Sequence, residues 1–224
     1  MSESSRVAHP RLTFRHVLAE AYRALLALDS PLLRVIRDLT LRPGQFVRRY
    51  VEGERTGVVG PIKYALLSLT ASVIAGQLGR EPVSPDLSPE DLAWRQALEA
   101  AHDLRAYIAL LVLIPTAMVQ RTLFWRRPFN LAETYVFLAY VMGHWFWLWT
   151  LEVLLPNSIA ALPPVAFLRA ALLYVYVPWA VCGFYGSRSL SVIARALVIV
   201  PTFAAWLTIG LRIAMVGWES GLRW

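Results

Sequence analysis

Apolar positions change their pattern partway along this chain. Up to about residue 61 they recur on one helical face, with arginines opposite. Beyond it they merge into five long runs, at about 62–79, 106–124, 131–155, 165–185 and 190–216. A bilayer core takes about 20 apolar residues of helix to cross, so each run predicts a transmembrane span. The expected fold is therefore all-α: a polytopic transmembrane helical bundle of about five spans behind an N-terminal amphipathic interfacial region. The expected division is 1–61 as a cytoplasmic basic region, 62–216 as the membrane domain and 217–224 as a short tail.

Residues 1–11 are polar and read as disordered. From Phe14 to Leu28, positions 14, 17, 18, 21, 22, 25 and 28 form an apolar stripe opposite Arg15, Glu20 and Arg23. Asp29-Ser30-Pro31 ends that helix and starts another, with Pro31 at its first position. Pro43-Gly44 predicts a turn. Gln45 to Glu52 then makes two helical turns, with Phe46, Val47, Tyr50 and Val51 on one side and Gln45, Arg48, Arg49 and Glu52 on the other. Gly53 stands at the C-cap, and Gly57 and Gly60-Pro61 bend the chain into the first apolar run. Such a segment is expected to lie in the membrane interface, its arginines at the headgroups and Phe46 and Tyr50 in the lipid boundary. An amphipathic helix on a soluble core is the competing reading. The apolar runs that follow weigh against it.

Within the runs, Ser68, Ser72 and Gly76 recur every four residues and mark the first as an inner helix that admits a close neighbour. Residues 80–105 are the longest polar connection, with a short helix expected over 92–101 and His102 and Asp103 on a solvated end. Pro115, Pro178 and Pro201 lie inside the second, fourth and fifth runs, and Trp145, Trp147 and Trp149 crowd the outer half of the third. Arg195 and Arg212, 17 positions or roughly 25 Å of helix apart, can snorkel to opposite interfaces.

Composition sharpens this picture. The 224 residues are 57% apolar with a mean hydropathy of +0.49, beyond an ordinary soluble domain. The net charge of +7 comes from 21 arginines and Lys63, placed in the pre-membrane segment and short loops rather than over a soluble face. A nucleic-acid partner is therefore not expected. Ten arginines precede residue 56, and Arg121, Arg126, Arg127 and Arg188 flank the second-to-third and fourth-to-fifth connections. The first-to-second connection is net acidic. By the positive-inside rule the N-terminus is cytoplasmic and, with five spans, the C-terminus periplasmic in a bacterial inner membrane. Four spans are the fallback, the first and fifth being weakest. No cleavable signal peptide is expected. The single cysteine, Cys182, excludes an intramolecular disulfide or a cysteine metal cluster and reads as a buried, inert thiol.

The motif Thr40-Leu41-Arg42-Pro43-Gly44-x-Phe46-x-Arg48-x-Tyr50-x-x-Gly53-x-Arg55, ending in Pro61, resembles the signature of a bacterial integral-membrane family of unknown function. Asn130-Leu131-Ala132-Glu133-x-x-Val136-Phe137 and Phe184-Tyr185-Gly186-x-Arg188 extend the resemblance over about residues 40–199. Many members carry an N-terminal zinc ribbon of two CxxC pairs. This chain has none, so no zinc carries over, and the resemblance implies no activity.

Candidate chemistry rests on few residues. Glu133, Tyr140 and His144, with Phe137, share one helical face, because offsets of 4, 7 and 11 return close to the starting angle. That face is either a polar track for a proton or headgroup, or a structural one, with Glu133 paired to a junction arginine and His144 bonded across helices. Glu152 and Arg169 are expected as a structural ion pair near the outer interface. Arg42, Arg48, Arg49 and Arg55 are the candidate grip on an anionic lipid or partner. No HExxH, GxSxG, CxxC or Walker spacing occurs, so no catalytic residue, metal or cofactor is assigned. The reading that follows is a non-catalytic, lipid-organising or complex-stabilising subunit, with membrane lipids and a membrane-protein partner or second copy as its contacts. The alternatives are a small, proton-coupled transporter or channel and a lipid-headgroup-modifying enzyme.

Overall fold

The computed structural model describes residues 31–78, 88–153 and 163–219, and every regular element among them is an α-helix. In chain order these are α1 (Pro31–Leu41), α2 (Pro43–Val51), α3 (Pro61–Leu78), α4 (Pro89–Leu123), α5 (Leu131–Val153), α6 (Pro163–Tyr185) and α7 (Leu190–Glu219). Five of the seven open on proline, whose fixed φ suits a first turn and whose missing N–H is an orphan there in any case. The stripe over 14–28, the polar N-terminus and the tail beyond 219 lie outside the described residues.

Two helix pairs build the bundle. α3 and α5 run the same way, since Val59 meets Tyr140 while Tyr64 meets His144. Their contact is close because Gly143 has no side chain: a Cβ there would come within 3.1 Å of the Ala65 Cα and 3.3 Å of the Ser68 Oγ. Ser68 and Ser72 are buried on this seam, and each hydroxyl donates to its own helix, to Ala65 O and Leu69 O. A Cβ at Gly76 would meet no atom of the described residues within 4 Å. α4 and α7 run in opposite directions. Arg195 on α7 donates to the Leu123 carbonyl at the end of α4, and Gly210 lies against Ile108. Pro115 and Pro201 sit inside continuous helices, and the threonine after each donates to the carbonyl four residues back, Thr116 to Val112 O and Thr202 to Val198 O. Stacked Phe124–Tyr185 and Phe129–Phe184 rings bring the end of α4 and the start of α5 to the end of α6.

Two elements differ from the sequence expectation. The short helix over 92–101 and the run at 106–124 are one helix, α4, of 35 residues. Nothing between them breaks it, since residues 101–105 hold neither glycine nor proline. The turn expected at Pro43-Gly44 lies one residue earlier, at Arg42 (φ −148°, ψ 57°), and both residues belong to α2.

Among the described residues one stretch, Leu190–Gly217, is long and apolar enough to cross a membrane by length and composition, and only 28% of its most apolar window is buried. Shorter apolar stretches occupy Tyr107–Leu123 and Ala171–Tyr185. Large apolar side chains point outward from α3 (Ile62, Ile74, Leu78), α4 (Tyr107, Leu111, Met118), α6 (Phe167, Val175) and α7 (Ile213, Val216).

Candidate functional site: the N-terminal hairpin and its arginines

Because Tyr140 meets Val59, just before α3, α3 starts roughly 15 Å inside the start of α5 at 1.5 Å per residue. α1 and α2 fill the space so left, as a helical hairpin turning at Arg42. Val35 and Leu39 of α1, and Phe46 and Val47 of α2, are fully or nearly fully buried. The apolar face of α2 thus packs on protein, where the sequence had pointed Phe46 and Tyr50 into lipid. Both rings meet Tyr140 edge-on, each with centroids 5.2 Å apart. Nonpolar burial inside the bundle outweighs lipid contact because it adds ring packing and hydrogen bonds that acyl chains cannot supply.

Backbone contact holds α2 against α6. A Cβ on Gly44 would overlap the Ala180 carbonyl and the Phe184 amide, and one on Gly183 would come within 3.0 Å of the Gly44 Cα. Only two glycines allow this crossing. α2 then ends in a Schellman motif: Glu54 N–H donates to Arg49 O and Gly53 N–H to Tyr50 O, with Gly53 at φ +115°.

Four buried polar rings fasten the hairpin. The Leu39 carbonyl would receive its helical bond from residue 43, which is proline and has no N–H, so the Tyr176 hydroxyl donates to it instead (3.2 Å). The Tyr140 hydroxyl donates to the Val59 carbonyl (2.6 Å) in the loop that leads into α3. His144 stands between α1 and α3, with Nε2 at 3.2 Å from Thr40 Oγ1 and Nδ1 at 2.9 Å from the Tyr64 hydroxyl. Its tautomer follows from proton counting. Thr40 gives its single hydroxyl proton to Ile36 O, so it accepts from His144 Nε2–H, which leaves Nδ1 to accept from Tyr64. Both ring nitrogens are thereby engaged.

Glu133 has a different occupation. It forms a reciprocal capping box at the start of α5, in which Asn130 N–H donates to Glu133 Oε2 (2.7 Å) and Glu133 N–H to Asn130 Oδ1 (2.9 Å). No arginine pairs with it among the described residues. The sequence face of Glu133, Phe137, Tyr140 and His144 thus splits into a helix cap and two tethers. The side chains of Glu152 and Arg169 lie outside the described residues.

The four arginines also separate. Arg48 donates to Glu52 (2.8 Å), Arg49 lies 3.9 Å from Glu54, and Arg55 bonds Tyr50 O and covers the Tyr50 ring. Arg42 has no carboxylate partner among the described residues. It lines a cavity of about 740 Å³ between the hairpin turn and α6, walled by Leu41–Gln45 on one side and Trp179, Cys182, Gly183 and Gly186–Arg188 on the other. Trp179, Gly183 and Tyr176 carried no functional signal in the sequence. The clue available was complementary: a glycine just inside a helix start at residue 44, and another three residues after Ala180.

A family model described as a protein of unknown function, DUF3667, matches residues 29–73. That stretch is α1, α2 and most of α3, the part of the chain that forms and anchors the hairpin. No curated protein and no solved structure matches the chain.

Proposed function

We propose that this chain is a multi-pass bacterial inner-membrane protein that organises lipids or stabilises a membrane complex without catalysing a reaction. In this reading α3 to α7 are the five spans. The outward apolar residues of α3, α4, α6 and α7 support it, as does α7, which is apolar yet mostly exposed: the core helix of a soluble protein would be covered. Arg121, Arg126, Arg127 and Arg188 gather at the end that holds the hairpin, which favours that end as cytoplasmic.

The observation that carries the non-catalytic part is the use of the buried polar groups. Tyr64, Tyr140, His144 and Tyr176 are all spent on holding the hairpin, and Glu133 on capping a helix. A proton path or an acid/base pair would need at least one of these groups to face water or a substrate, and each is bonded to protein instead. The test is native mass spectrometry of the protein extracted gently from its own membrane. A protein partner at fixed stoichiometry, or a retained anionic lipid, is the expected result. A bare monomer that conducts protons in liposomes, and loses that flux in Glu133→Gln, would replace this reading with transport.

The arginine-lined cavity favours one further reading, an enzyme acting on lipid headgroups. Turnover of a phospholipid in defined liposomes would establish it, and intact lipid after prolonged incubation would remove it.

A further inference from the structure

We propose that the cavity between the α1–α2 turn and α6 is a binding site for one anionic phospholipid, whose phosphodiester is held by Arg42 and Arg188. This rests on the membrane reading above and narrows its lipid partner to one place and one charge class.

Charge carries the argument first. The described residues of the cavity wall contain two guanidinium groups and no carboxylate. Among the described residues neither Arg42 nor Arg188 forms an ion pair, whereas Arg37, Arg48 and Arg49 each have an acidic neighbour in their own segment. Two like charges on one cavity repel unless an anion lies between them, and a phosphodiester accepts from two planar guanidinium forks at once.

Depth and polarity point to a lipid over a free anion. Arg42 is the N-cap residue of α2 at the hairpin turn and Arg188 lies beyond the last residue of α6, and both line the same cavity. From Trp179 to Gly186 is roughly 10 Å of helix, so the wall runs from an apolar lower part to a basic rim. Leu41 (61% exposed) and Trp179 (44% exposed) form the lower part and suit a glycerol backbone and the first methylenes of acyl chains. A cavity of about 740 Å³ holds a headgroup with that glycerol.

The test uses the purified full chain, stripped of lipid in detergent and titrated with phosphatidylglycerol or phosphatidylcholine, with bound lipid counted by native mass spectrometry. The proposal predicts one tight phosphatidylglycerol site, at least about tenfold tighter than phosphatidylcholine. Arg42→Gln and Arg188→Gln should each weaken it about tenfold or more with an unchanged melting temperature, since each removes a charge-assisted pair. Arg49→Gln, outside this cavity, should leave it unchanged. Equal phosphatidylglycerol binding by wild type, Arg42→Gln and Arg188→Gln would overturn the site while leaving the membrane-subunit reading intact. So would equal weakening by Arg49→Gln, which means diffuse attraction. Displacement of the lipid by millimolar inorganic phosphate would also overturn it, by reassigning the cavity to a free anion.

Discussion

Two cavities lined by described residues flank the hairpin, each holding two arginines, and they differ in charge balance. One, of about 350 Å³, is lined by Arg34, Asp38, Phe46, Arg49, Glu54, Thr56 and Val58, so its two arginines face two acids. The other, of about 740 Å³, sets Arg42 and Arg188 against no acid among the described residues. The first is balanced within the fold and is explained by packing α1 against the loop after α2. The second is not, and an external anion completes it. The same distinction separates the arginines of one short segment, which share a sequence neighbourhood and not a role.

Gly44→Val would test that architecture most severely. A branched side chain must displace the α6 backbone at Ala180, which should unseat the hairpin, open both cavities together and cost about 3 kcal/mol or more, read by thermal unfolding in detergent. Normal stability in Gly44→Val would show that α2 does not cross α6 as described. His144→Phe should cost less, about 1–2 kcal/mol, because the ring packing survives while Thr40 and Tyr64 lose their shared partner. Tyr176→Phe should cost about 1 kcal/mol by leaving the Leu39 carbonyl unpaired beside Pro43, again by thermal unfolding. It should also loosen the turn at Arg42, and so weaken the unbalanced cavity more than the balanced one. Glu133→Gln is expected to be the mildest, a few tenths of a kcal/mol, since glutamine keeps the capping box and loses only a charge near a helix N-terminus. A larger loss of stability there would mean that the carboxylate has a partner beyond the cap.

Much of the helical layout could be read from the chain. The apolar runs made the all-helical class legible, because long uninterrupted runs and proline starts are local signals. Of the Ser68, Ser72 and Gly76 stripe of α3, the two serines lie on the close seam with α5, and a Cβ at Gly76 would meet no described atom. Depth was not legible. An amphipathic helix bearing arginines carries the same pattern whether it lies on a membrane or slots into a bundle, and the choice depends on Tyr140, Tyr176 and Gly183, 80 to 140 residues away. That Arg42 and Arg188 line one cavity was hidden for the same reason: no local pattern links a hairpin turn to the end of α6. Glu133 drew attention as an intramembrane acid. Asn130-x-x-Glu133 is itself a capping-box spacing, and the acid sits in the first turn of α5.

Topology tests the central claim, a multi-pass bundle with its hairpin end in the cytoplasm, most directly. In a Cys182→Ser background, single cysteines at Ser187 and Ser88 would be probed with a membrane-impermeant maleimide in inverted and right-side-out vesicles. Ser187, at the hairpin end, should label only in inverted vesicles, and Ser88, just before α4, only in right-side-out ones. Labelling of both from the same side would contradict the account, because α4 would then not cross the membrane.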